Sequence, residues 1–204
     1  TAPRLAGGAP TAVLVLVGAV SILAYQPAFF LGTSRTGVAV GTIVALGSAP
    51  VFTGLLEWLV LRRFPGAVWA VATLVASAGV ALLGGALDGG STRADAVGLA
   101  ASLAAGASYA GYALVAKLLI TRGADPTWTM GSLFGAAAVA SVPLALSTDL
   151  TWLGRADGLA AALWLGLVTT AAAYVLFGRG LARLSASTAA TLTLAEPVTA
   201  ALLG

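Results

Sequence analysis

Seven apolar stretches of about 20 to 26 residues run along this chain, and most of its charged residues sit in the short gaps between them. A hydrocarbon core about 30 Å thick is crossed by roughly 20 helical residues rising 1.5 Å each, so every stretch has the length of a membrane span. The spans read from the sequence are 11–32, 36–61, 66–86, 95–118, 128–148, 158–180 and 184–204. Turn and charge clusters punctuate them: Thr33-Ser34-Arg35, Arg62 to Gly66, Asp88 to Arg93, Arg122 to Pro126 and Asp149 to Asp157. With 10 basic and 7 acidic residues in 204, the helices lack the polar faces that would cover a bundle in water. Backbone inside lipid must pair within its own segment, and Ala/Leu/Val/Gly runs without alternation favour helices over barrel strands. The expected fold class is all-α, a polytopic helical membrane protein.

Lys and Arg accumulate in cytoplasmic loops, which orients the spans. With the N-terminal segment cytoplasmic, the inside set is Arg4, Arg62, Arg63, Lys117, Arg122, Arg179 and Arg183, against Arg35, Arg93 and Arg155 outside. The acids lean the other way, with Asp88, Asp95, Asp149 and Asp157 outside and Asp125 inside. The net charge of +3 is therefore a topology signal, and with no Lys/Arg cluster longer than two residues it does not read as a nucleic-acid patch.

Composition also narrows the chemistry. The chain has no Cys and no His, which disfavours disulfides, thiolate or imidazole metal sites and imidazole general bases. No Gly-x-x-x-x-Gly-Lys-Ser/Thr loop is present, so nucleotide hydrolysis is not expected and any transport runs on gradients or on a partner's ATPase. The expectation is a protein that is not an enzyme and needs no cofactor. The first residue is Thr1 and the last, Gly204, falls inside an apolar run; the chain reads as a fragment lacking helices at both ends.

Internal repetition is faint. An offset of 147 places 36–56 on 183–203 and aligns Ala39 with Ala186, Pro50 with Pro197, Val51 with Val198, Leu55 with Leu202 and Leu56 with Leu203. The proline pair inside otherwise continuous spans is the informative part. Spans two and seven are five crossings apart, and an odd number makes the copies antiparallel, the inverted-repeat arrangement of many secondary transporters.

Ala172-Ala173-Tyr174, Arg179-Gly180-Leu181 and the run from Leu194-Ala195-Glu196-Pro197-Val198 to Gly204 resemble the EamA-like family of the drug/metabolite transporter superfamily. Ala49-Pro50-Val51-Phe52-Thr53-Gly54 and Ala78 to Gly84 agree with its first half. The resemblance implies ten helices in two inverted five-helix repeats. Residues 1–86 would supply the last three helices of the first repeat, and 95–204 the first four of the second. The family's usual Glu about thirteen residues after the first-repeat proline is replaced here by Arg63, while Glu57 stands only seven residues after Pro50.

An ionisable group in hydrocarbon is costly unless it faces a cavity or a partner, so polar residues within the spans are the site candidates. Glu196, about twelve residues into the last span, is read as a substrate-amine or proton partner, against a structural protonated Glu packed on Pro197. Pro197 removes an intrahelical bond and frees a carbonyl near Thr193. Tyr25 and Gln26 precede the helix-breaking Pro27, and Gln26 either lines the cavity or bonds between helices. Tyr109, Tyr112 and Tyr174 are an aromatic wall for an organic solute or simply core packing. Glu57 is expected to snorkel toward water and Arg62 or Arg63. Trp58, Trp69, Trp128 and Trp152 read as interfacial anchors, with Trp164 deeper. Gly37/Gly41, Gly131/Gly135 and Gly106/Ala110 offer close helix contact.

The functional expectation is a secondary transporter of the bacterial inner membrane, exporting small organic metabolites. The resemblance, rather than the spacing, points to amino acids or related compounds. Alternating access would run around a cavity walled by spans one, two, four, six and seven, with the third peripheral. Expected partners are the lipid bilayer, a small organic solute and protons, with no nucleic acid; a homodimer stays open. The alternative is a structural or assembly subunit that does not transport.

Overall fold

The structure, a computed structural model, describes residues 9–62, 64–83 and 95–203. Arg4, Arg63, Asp88 and Arg93 lie outside the described residues, as do 84–86 at the end of the third expected span. The described chain is helical: α1 (Thr11–Thr36), α2 (Val38–Leu61), α3 (Ala67–Leu83), α4 (Ala96–Thr121), α5 (Pro126–Leu146), α6 (Ala156–Leu163), a π-helical segment (Trp164–Ala172), α7 (Ala173–Arg183), α8 (Ala186–Leu192) and α9 (Ala195–Leu203). Five helices, with α6 through α7 counted as one, are long and apolar enough to cross a membrane. The protein is an integral membrane protein, and large apolar residues such as Val20, Val38, Val68 and Val139 are exposed where lipid would lie.

Elements begin and end where side chains replace lost backbone bonds. Asp125 caps α5 by accepting the Trp128 N–H at 2.8 Å, with Pro126 in the first turn. Asp95 caps α4 through the Val97 N–H, also at 2.8 Å, and Gly123 turns the chain out of α4 with φ +97°. The first expected gap is not a gap. The hydroxyls of Thr33, Ser34 and Thr36 donate back to the carbonyls of Phe29, Leu31 and Gly32, so α1 continues to Thr36 and the turn falls on Gly37, φ +85°.

One apolar cluster fixes the directions of the helices. It joins Leu14 at the start of α1, Leu114 to Leu119 at the end of α4, Met130 and Leu133 at the start of α5, Leu181 at the end of α7 and Ala186 at the start of α8, with Leu56 and Leu61 at the end of α2 packed against it. Starts and ends thus alternate at this end of the bundle, and α2 and α8 run opposite ways. Two hydrogen bonds agree: Glu57, late in α2, accepts the Ser187 N–H at 2.9 Å, and Thr73 of α3 bonds Thr191 at 2.9 Å.

The expected inside basic residues Lys117, Arg122, Arg179 and Arg183 follow or flank this cluster. Lys117 donates to the Leu181 carbonyl at 2.8 Å and Arg122 to that of Ala9 at 2.7 Å. At the opposite end Arg35 pairs with Asp95 at 3.2 Å and Arg155 with Asp157 at 3.1 Å. The bundle therefore has a basic rim and a rim of acids and ion pairs. The Val97 N–H, and after it the Arg35 guanidinium, hold the Asp95 carboxyl below the usual carboxylate range.

Helix α4 is the axis of the bundle, and small residues let α1 and α2 lie on it. Gly106 meets the Ala45 carbonyl of α2, and Gly32 of α1 lies against Ser102. Of the glycine pairs read from the sequence, Gly41 closes on Thr33 and Gly106 on α2, whereas Gly131 and Gly135 face open space. Trp69 is no free anchor: its ring occupies the position a Cβ on Gly54 would take.

Candidate functional site

Above the apolar cluster the helices diverge around a cavity of about 700 Å³. Its walls come from the middle of α1 (Tyr25, Gln26), α2 (Ala45, Leu46, Ala49), α4 (Tyr109, Tyr112), α5 (Phe134), the π segment and α7 (Thr169, Thr170, Tyr174, Phe177) and the junction of α8 and α9 (Thr193, Glu196). The structure thus brings all seven residues singled out from the sequence, Glu196, Gln26, Tyr25, Tyr109, Tyr112, Tyr174 and Thr193, to one space. A smaller apolar groove of about 210 Å³ runs off it between α7 and α8.

Glu196 is placed by a break in the last span. Residues Thr193 and Leu194 leave the helix between α8 and α9. Pro197 has no N–H to give the Thr193 carbonyl, which instead accepts the Glu196 N–H at 3.0 Å; Leu194 N–H turns to the Thr191 carbonyl at 3.1 Å. The freed carbonyl expected at Thr193 is consumed locally, and the carboxylate, at the first turn of α9, is exposed on the cavity wall.

Tyr112 is the hub of the aromatic floor and is only 4% exposed. Its ring centroid lies 5.0 Å from Tyr109, 6.4 Å from Phe134 and 6.1 Å from both Tyr174 and Phe177. Phe134 and Tyr174 approach to 4.1 Å. The Tyr109 hydroxyl is buried with no hydrogen-bond partner among the described residues. Tyr25 stacks on Phe29 at 5.9 Å, and Glu196 lines the same cavity as Tyr25 and Tyr174.

Sequence reasoning missed several of these residues. The fifth span was not counted among the walls, yet Phe134 reaches the floor. Phe177, one turn beyond Tyr174, was legible by spacing. Thr169 and Thr170 were not, because they enter through a nine-residue π stretch in which the Thr170 hydroxyl bonds the carbonyl five residues back, Leu165, at 2.8 Å. Glu57 departs from expectation in the other direction: it is 7% exposed and holds the α8 backbone instead of snorkelling. Trp164 is 62% exposed, on the periphery.

Residues 96–204 match the model of the EamA-like transporter family. Over 191 residues the chain is 44% identical to the "Uncharacterized transporter YwfM" of Bacillus subtilis (strain 168), an alignment covering 94% of this chain and 64% of that protein. The chain therefore spans about two thirds of that relative's length. No solved structure matches it.

Proposed function

We propose, from the premise that this chain belongs to the EamA-like transporter family, that it forms part of a secondary transporter that exports small organic metabolites, amino acids or related compounds. The observation that carries this reading is the cavity of about 700 Å³ near the middle of the bundle, walled by helices from both halves of the chain and separated from the basic rim by a buried apolar cluster. A space closed on one side and lined by polar and aromatic groups is what alternating access requires of one of its two states. No covalent chemistry is involved.

In this reading 1–86 and 95–204 belong to two inverted repeats, which the antiparallel course of α2 and α8 supports. The basic rim is cytoplasmic, in keeping with the excess of Lys and Arg there, and the membrane is the bacterial inner membrane. Export then ends in the state described, with the cytoplasmic side closed by Leu14, Leu118, Leu119 and Leu133. Glu196 carries the coupling proton or the solute's amine, and Gln26 orients the solute.

The test is metabolite efflux from cells, and from proteoliposomes, containing the whole gene product that carries this sequence. Glu196→Gln is expected to lower flux at least about tenfold and Gln26→Ala about threefold, a tenfold change being roughly 1.4 kcal/mol. Background flux for every metabolite tried, unchanged by either substitution, overturns the reading. Single cysteines at Thr127 and Thr148, placed in a whole gene product otherwise free of Cys, report sidedness: only Thr148→Cys is expected to react with an impermeant reagent in intact cells.

A further inference from the structure

The polar groups of the central cavity are one-sided. Glu196 is the single charged side chain among its described lining residues, which include no Lys and no Arg. Thr193, Thr169 and Thr170 each donate their hydroxyl proton to a backbone carbonyl at 2.8 Å, that of Ala190 for the first and of Leu165 for the other two. They therefore line the cavity as acceptors. The helix break offers little to an anion either, because the N–H groups of Thr193, Leu194 and Glu196 donate to the carbonyls of Ala189, Thr191 and Thr193. Neutral donors remain at the Gln26 amide and the tyrosine hydroxyls, those of Tyr25 and Tyr174 belonging to residues that line the same cavity as Glu196.

The rest of the lining is apolar, with Ile22, Ala45, Leu46, Ala49 and Ala173 beside a group of aromatic rings. Tyr112, Phe134, Tyr174 and Phe177 form a continuous floor of rings with centroid separations from 4.1 to 6.4 Å. A carboxylate beside ring faces is the combination that recognises an alkylated or aryl-alkyl ammonium, the charge meeting the carboxylate and the carbon-bound, partly positive hydrogens meeting the rings. Among the described lining residues a solute carboxylate meets one like charge and no cation.

From this we infer that the solute is an organic cation with an apolar or aromatic body and no carboxylate, an aryl-alkyl amine in preference to the corresponding amino acid. The inference rests on the transporter reading above and moves its substrate class from the amino acids to the related amines. Zwitterions are disfavoured because their ammonium is accommodated while their carboxylate is not.

Three probes share one aryl body and differ in charge: phenylethylamine, phenylalanine and 3-phenylpropionate. Binding to the purified whole gene product is read by calorimetry, and movement by uptake into proteoliposomes. Phenylethylamine is expected to bind at least about tenfold more tightly than phenylalanine, with 3-phenylpropionate not bound. Glu196→Gln is expected to abolish that preference, while Phe134→Leu weakens amine binding several-fold with unchanged folded yield. Phenylalanine binding as tightly as the amine, no amine binding, or a preference that survives Glu196→Gln each overturns the inference. If both solutes move equally, the transporter reading stands without it; if the amine binds selectively and nothing crosses the vesicle wall, the inference stands and the transporter reading falls.

Discussion

Helix α2 and the α8 to α9 segment carry a proline at matching positions, Pro50 and Pro197, and only the second is broken. In α2 the neighbourhood is filled with hydroxyl donors. Thr53 donates to the Ala49 carbonyl at 2.7 Å and Ser77, from α3, to the Gly47 carbonyl at 3.1 Å, while Pro50 itself is buried. Around Pro197 no hydroxyl from another helix bonds a backbone carbonyl among the described residues, Thr73 meeting the Thr191 hydroxyl instead, and Ala195 and Glu196 are exposed. The backbone there satisfies itself by tightening a turn, which ends one helix and starts another. The difference teaches that proline removes a bond in both segments, and that packing decides whether the lost bond becomes a buried, continuous helix or an opening onto a cavity.

The contrast can be broken in four ways, in descending order of effect. Gly54→Leu drives a side chain into the Trp69 ring that holds α2 against α3. Overpacking of about 1–3 kcal/mol or more is expected, seen as lost monodisperse yield on gel filtration in detergent. A variant with parental yield and melting midpoint would mean that the α2 to α3 seam does not support the continuous helix.

Pro197→Ala restores an N–H at the break. Flux is expected to fall at least about tenfold, a change worth roughly 1.4 kcal/mol, with the melting midpoint unchanged or raised. Pro50→Ala, in an already continuous helix, is expected to leave flux within about twofold, or roughly 0.4 kcal/mol. Equal losses in the two variants would erase the distinction.

Glu57 ties α2 to α8 by accepting the Ser187 N–H. Glu57→Ala leaves that buried donor unpaired and is expected to cost about 1–3 kcal/mol of stability, whereas Glu57→Gln keeps an acceptor and recovers most of it. Identical melting of the two variants would show that the bond contributes nothing.

The smallest effect lies at the far rim. The Asp95 carboxyl is held below its usual range by Val97 and Arg35, so its contribution is fully present above the unfolded value of about 3.9 and disappears as pH falls through the lower folded value. Asp95→Asn, still a good helix cap, is expected to melt slightly below the parent at pH 7 and together with it once the pH is below both values. A gap that persists in acid would assign the effect to the cap and not to the charge.

The spans and the site were legible to different depths. Lengths of apolar run placed α1, α2, α4, α5 and the α6 to α7 span within a few residues, since hydrocarbon imposes one length on every crossing. Intramembrane polarity pointed to Glu196 and Gln26, because each polar group in lipid needs a reason to be there, and the bond missing at Pro197 pointed to Thr193; all three line the cavity. Phe134 stayed hidden, since an apolar ring facing a cavity and one facing lipid look alike in sequence. The burial of Glu57 was misread for a related cause: snorkelling depends on whether another chain segment arrives first, and Ser187 comes from 130 residues away.

What the sequence determined by itself is the medium and the periodic element. Charge content and run length add along the chain, and only helices satisfy their backbone in lipid segment by segment. The tertiary structure decided which polar groups share a cavity, which proline interrupts its helix and where the apolar cluster is buried. Those outcomes depend on which distant hydroxyl, ring or backbone N–H comes within bonding distance, and chain order holds no record of that until the helices pack.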